Sequence, residues 1–117
     1  MKLKHTKHRS VLSLGTIILA LSAGSASALE LKEFWAKNCA QCHGPDGKGQ
    51  TKMGKKLNIV DLADAKVQEK YSDEQMFKTI KEGVKDNEGK LRMKPAAGVT
   101  DGDIKVLVAY VRTLKGQ

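Results

Sequence analysis

Five residues, Cys39-Ala40-Gln41-Cys42-His43, constrain this chain more than any other stretch. They hold both of its cysteines and, apart from His5 and His8 near the N-terminus, its only histidine. Two thiols three residues apart, followed directly by an imidazole, form the C-x-x-C-H pattern of covalent c-type haem attachment. If the segment ends a helix, Cys39, Cys42 and His43 stand at i, i+3 and i+4 and share a face. That face would offer two thioethers to the two vinyl groups of one porphyrin and one nitrogen to its iron.

Other chemistries fit the same five residues less well. A thioredoxin-like dithiol wants a βαβ setting, but the flanks read as a helix and a Gly/Lys-rich loop. Zinc normally takes four Cys and His ligands, and with no further cysteine it would need carboxylates to complete its shell. A disulfide between Cys39 and Cys42 stays open as a reading and leaves the adjoining His43 without a reason.

Residues 1–28 read as a secretory leader. Lys2, Lys4, Lys7 and Arg9 form a basic start, Val11 to Ala23 an apolar run, and Ala26-Ser27-Ala28 a small-residue cleavage site. The run is shorter than the ~20 residues that span a bilayer, so cleavage after Ala28 is expected, with an uncleaved anchor as the alternative and no stable membrane insertion once cleaved. No twin arginine precedes the run, which suits export of an unfolded chain to an oxidising compartment, here the periplasm.

Residues 29–117 then form a single domain. The chain carries 21 Lys and Arg against 13 Asp and Glu; the leader takes four bases and no acids, so 17 − 13 leaves +4 for the remaining 89 residues. So modest a charge, without interleaved aromatics, gives no reason to expect nucleic acid. At this size a protein core alone is marginal, and one Trp, two Tyr and two Phe supply little apolar volume. A buried haem would supply it.

Periodicity outlines an all-α chain. Leu31, Phe34, Trp35 and Asn38 make one face of a short helix over 30–40 that delivers the motif, and Gly44-Pro45-Asp46-Gly47-Lys48-Gly49 breaks it. Ser72-Asp73-Glu74-Gln75 has the form of a capping box; it opens a helix with Met76, Phe77 and Ile80 inward and Gly83 at its end. Thr100 caps a last helix whose stripe is Ile104, Leu107, Val108, Val111 and Leu114, ending near Gly116. A weaker helical turn is expected over 59–70. No segment alternates like a strand.

This order of leader, short helix, C-x-x-C-H, Gly/Lys loop, capped helix, Met-x-Pro and final helix resembles the small monohaem class I c-type cytochromes of bacteria. The resemblance spans 29–117 and rests on C-A-Q-C-H-G-P-D-G-K-G, R-M-K-P and L-V-A-Y-V-R-T-L. It implies one covalent haem c in a cleft beside crossing N- and C-terminal helices, with Trp35 facing Tyr110 and Leu107 at the crossing. Cys39, Cys42 and His43 would be the cofactor-binding residues of the motif.

A second axial ligand has three candidates past the leader: Met53, Met76 and Met93. Met76 reads as a core residue of its helix. Met53 lies in a basic loop ten residues past the motif, too near to wrap round the ring. Met93 lies in a non-helical stretch where Pro95 biases the preceding residue to extended geometry, and the resemblance points to it as well. Another methionine or an open site is the alternative. With His43 and Met93 on the iron, no coordination position is vacant and the thioether raises the potential. The expectation is therefore a monomeric single-electron carrier docking redox proteins at the haem edge, not an enzyme. The alternatives are a haem subunit of a dehydrogenase or related oxidoreductase complex and, if Met93 does not bind, ligand or peroxide chemistry at an open iron.

Some expected features are missing. The proline whose carbonyl often accepts the imidazole Nδ1–H is replaced by the neighbourhood Gly54-Lys55-Lys56-Leu57-Asn58, and Leu31 stands where relatives use a glycine at the helix crossing. Trp35 is the only tryptophan and belongs to the first helix, leaving Arg92, Lys55 and Lys56 as weak candidates for the haem propionates. Lys48, Lys52, Lys55 and Lys56 after the motif, with Lys90, Arg92 and Lys94 around Met93, could form one basic rim or a solvated surface.

Overall fold

The computed structural model describes residues 27–117, and the elements follow in the order α1 Ser27–Asn38, α2 Ala40–His43, α3 Lys52–Leu57, α4 Ala65–Lys70, α5 Asp73–Glu82, β1 Val84–Lys85, β2 Leu91–Met93 and α6 Asp101–Thr113. The expected leader lies outside the described residues except for Ser27 and Ala28, which open α1. Among the described residues no helix is long and apolar enough to cross a membrane.

The two capped helices stand where the sequence puts them. At the start of α5 the Ser72 hydroxyl accepts from the Gln75 N–H while the Gln75 side chain accepts from the Ser72 N–H, so two orphan donors are satisfied at once. Thr100 and Asp103 repeat the exchange at α6, and all five residues of the expected stripe, Ile104, Leu107, Val108, Val111 and Leu114, are buried. Each buried aliphatic side chain of this kind contributes about 1.5–3 kcal/mol.

Trp35 joins α1 to α6. Its ring meets Tyr110 edge-on with centroids 5.3 Å apart, and its Nε1–H donates to the Gly44 carbonyl at 3.0 Å. The expected contact with Leu107 is displaced: the buried cluster around Trp35 is made by Val111 and Leu114, with Met76 and Leu62 packed against it. The indole therefore sits closer to the C-terminal end of the α6 stripe than the sequence alone indicates.

Three further differences have local causes. The segment read as a basic loop around Met53 is α3, capped by Thr51, whose hydroxyl accepts from the Gly54 N–H, and closed by Asn58 in a left-handed conformation at φ 51. The expected turn over 59–70 is helical only in α4, because Asp64 caps Lys66 and Val67 and starts the helix there. The chain is not strand-free: β1 and β2 pair antiparallel with Val84 opposite Met93 and Lys85 opposite Leu91, irregular between Val84 and Lys85. Strands of two and three residues are too short to show a period of two.

One buried amide ties α4 to α6. The Gln68 Nε2 donates to the carbonyls of Leu62 and Val111, both at 2.7 Å, and its Oε1 accepts from Arg112 Nη1 at 3.0 Å. Arg112 also reaches the Tyr71 carbonyl and pairs with Asp73 at 2.7 Å. The loop between α4 and α5 is thereby fixed to the last helix.

Candidate functional site

The helix that carries the motif does not run straight through it. Cys39 falls at a break between α1 and α2, with φ −118 and ψ −41, but hydrogen bonding continues across the break: Cys39 N–H donates to the Trp35 carbonyl and His43 N–H to the Cys39 carbonyl, both at 2.9 Å. The i to i+4 bond between Cys39 and His43 keeps both cysteines and the imidazole on one turn. All three are half-buried.

The next segment folds back and braces this turn. Gly49 N–H donates to the His43 carbonyl at 2.7 Å, and Thr51 Oγ1–H donates to the Cys42 carbonyl at 2.8 Å while the same oxygen accepts from Gly54 N–H at 2.8 Å. Gly54 is packed so tightly that an added Cβ would lie 2.5 Å from the Cys42 carbonyl oxygen and closer still to that of Gly49. Only glycine permits α3 to lie this close to the motif. Thr51 and Gly54 are not among the expected functional residues, although a threonine three positions before a buried backbone N–H is a readable cap.

Burial sets the protonation of the motif. It pushes the Cys39 thiol up to about 11, with the nearby Cys42 adding to the effect, and it holds the His43 imidazole below its usual value. At neutral pH the site therefore presents a protonated Cys39 thiol and a neutral imidazole. A redox dithiol needs the opposite, a depressed thiol pKa that yields a thiolate. Cys39 and Cys42 are not bridged, and among the described residues no three His, Cys, Asp or Glu side chains are grouped as a zinc site would require. His43 Nδ1 is buried without a hydrogen-bond partner, in keeping with the missing proline.

Met93 is held by a different part of the molecule. It is half-buried on β2 opposite Val84, and at Gly83, φ 75, a side chain would run into the Met93 carbonyl and approach Pro95 Cδ to 2.9 Å. Ala96 N–H donates to the Ile80 carbonyl at 2.9 Å and docks the strand's exit on α5. α2 packs against α1 and α3, and β2 against β1. The structure thus gathers Cys39, Cys42 and His43 on one turn and keeps Met93 on a separate support.

The remaining candidates are divided by their contacts. The Arg92 guanidinium donates through Nη2 to the Leu57 carbonyl, and the single N–H of the Trp35 indole is taken by the Gly44 carbonyl. Lys55 and Lys56 are exposed on α3, and Met76 packs on the Trp35 cluster as a core residue. Met53 is 37% exposed and shares a surface depression with Gln41, Lys52 and Lys56.

A turn with two thiols and one neutral imidazole, set beside crossing terminal helices, can be compared with known proteins. The family model described as cytochrome c matches residues 30–115. The chain belongs to the cytochrome c family. Among solved structures it is similar to the KustC0563 c-type cytochrome, at 35% identity and a TM-score of 0.61 over 72% of this chain and 95% of that one. It is also similar to a tyrosine-to-phenylalanine mutant of Kustc0563, at 36% identity and a TM-score of 0.58 over 71% and 95% of the respective chains. No curated protein matches it.

As a small class I c-type cytochrome, the protein carries covalently bound haem c and transfers electrons in partnership with other redox proteins. The residues of the motif fit that group: two thiols and an imidazole that is already neutral stand on one hydrogen-bonded turn.

Proposed function

We propose that this cytochrome is an exported, diffusible single-electron carrier whose haem is held by thioethers from Cys39 and Cys42 and by axial His43 and Met93. The observation that carries the reading is the braced turn of α2, where both thiols and a neutral imidazole stand within one i to i+4 hydrogen bond. The haem supplies a one-electron iron couple.

The protein's own residues do the rest. Cys39 and Cys42 anchor the ring covalently, and Gly49, Thr51 and Gly54 hold the turn that presents His43. Met93 would offer the iron a thioether from β2, and an iron held by both His43 and Met93 would be closed to oxygen and peroxide. Cleavage after Ala28 would release residues 29–117 into the periplasm. Carboxylates with resolved roles, such as Asp64 and Asp103, serve as helix caps, which supports a carrier rather than an acid–base catalyst.

Met93→Ala should lower the reduction potential, abolish the sulfur-to-iron charge-transfer band and open the iron to exogenous ligands, while Met53→Ala and Met76→Ala keep the band. Loss of the band in Met53→Ala or Met76→Ala with Met93→Ala unaffected would overturn the assignment. Co-purification of the native protein with a larger redox partner would replace the diffusible carrier with a docked subunit.

A further inference from the structure

Arg92 and Met93 are neighbours on β2, and a strand sends neighbouring side chains to opposite faces. Arg92 can therefore take hold of another element without occupying the face that Met93 uses. It reaches the carbonyl of Leu57, the last residue of α3 and 35 positions earlier in the chain. That carbonyl belongs to the set a helix leaves unpaired at its C-terminus. The helix's own closure answers two others: Asn58 N–H bonds to Lys55 and Ile59 N–H to Gly54. The Leu57 oxygen is taken by Arg92.

Both ends of this contact are firmly based. α3 is fixed to the motif turn by Thr51 on Cys42 and by the close approach of Gly54, and β2 is fixed to β1 and to Gly83. Among the hydrogen bonds of the described residues, Arg92 to Leu57 is the one that joins the hairpin to the α2–α3 half. The hairpin is otherwise docked on α5 through Ala96 and Ile80.

We propose that Arg92 is a positioning residue for Met93: its clasp on Leu57 sets the distance between the Met93 strand and the His43 turn, and so holds the thioether on the iron. This rests on Met93 being the axial ligand. Releasing the clasp raises the population in which Met93 has swung away, and the apparent affinity of a competing ligand rises in proportion to that population.

The test is imidazole titration of the purified holoprotein, followed by the charge-transfer band, in Arg92→Met, Arg92→Lys and Met93→Ala. Arg92→Met keeps an unbranched, largely apolar stem and removes the donors. A hydrogen bond from a charged but exposed donor corresponds to about tenfold in such an equilibrium. Arg92→Met is therefore expected to bind imidazole about tenfold more tightly, with the band intact in the absence of imidazole and covalent haem retained. Arg92→Lys, which keeps one charged donor, should recover most of the wild-type resistance. If Met93→Ala leaves the band in place, the ligand assignment fails and this proposal with it. If Met93→Ala loses the band but Arg92→Met binds imidazole as weakly as wild type, or Arg92→Lys behaves like Arg92→Met, the clasp is overturned and the assignment stands.

Discussion

Cys39, Cys42 and His43 stand on one turn of helix, backed by a second helix that glycine lets come within van der Waals limits, whereas Met93 stands on a three-residue strand docked through neighbours. The first arrangement is local. Residues within five positions of each other are fixed by helix geometry, and little chain has to be ordered to align them. The second is assembled from afar, through Gly83, Ile80 and Leu57, and each of those contacts closes a loop at an entropic cost. The anchoring half is therefore built for permanence and the Met93 half for adjustment. With the ligation proposed above, that division would suit a carrier whose haem is held covalently and whose potential depends on the Met93 thioether.

The largest expected effect tests permanence. Cys39→Ala with Cys42→Ala, or His43→Ala, should leave a protein without acid-acetone-resistant haem, whereas Met93→Ala should retain covalent haem. Colour that leaves with the solvent from the unaltered protein, or haem that stays covalent in the double cysteine variant, would erase the contrast between the two halves.

A second test concerns the brace. Gly54→Ala forces α3 away from the carbonyls of Cys42 and Gly49, and overpacking of that kind costs about 1–3 kcal/mol. Gly89→Ala meets nothing within 4 Å and suffers only from its φ of 78, at about 1–2 kcal/mol. Thermal melts of the two holoproteins should rank Gly54→Ala lower, with its haem spectrum perturbed, and Gly89→Ala should leave the spectrum unchanged. Equal spectra would show that the approach of α3 is incidental.

Docking gives a smaller contrast. Lys56 is exposed on α3 and Lys94 is exposed beside Met93. Charge reversal at either should slow association with a redox partner several-fold at low salt and leave the potential unchanged. An effect at only one would assign docking to that half, and indifference to salt and to both reversals would leave the lysines as solvated surface.

The smallest effect is in the cap of α6. The backbone N–H of Thr100, and then its hydroxyl, hold the Asp103 carboxyl below its usual value. A depressed carboxyl stabilises the fold above its unfolded pKa, and that contribution is lost as pH falls through the folded one. The wild-type holoprotein should therefore lose melting temperature more steeply below about pH 4 than Asp103→Asn. Parallel curves would remove Asp103 from the acid response.

These contrasts follow how legible each region is in the sequence. The motif and the capped helices can be read directly, because Ser72 with Gln75, Thr100 with its stripe, and Cys39 with His43 are all short-range patterns. α3 is hidden by its composition: a glycine and three lysines in six residues resemble a loop, and the cap at Thr51 serves a contact with Cys42 that only the fold reveals. The hairpin is hidden by its length. Trp35 does turn toward Tyr110 as expected, but one turn of α6 separates the expected Leu107 from the observed Val111, since a stripe fixes a face and leaves the height along it free.

Against α4, the height of α6 is tied by Gln68. Its amide supplies two donors and an acceptor in one plane, and all three are taken, by Leu62, Val111 and Arg112. Glutamate would keep the acceptor and lose both donors; leucine would keep the volume and lose all three; asparagine would fall one methylene short. Apolar packing alone lets one helix creep along another in small steps, but moving α6 by a single turn, about 5.4 Å, would break the bonds of this amide to Val111 and Arg112 together. A single uncharged side chain thus converts the sliding of the terminal helix from a continuous coordinate into a discrete one.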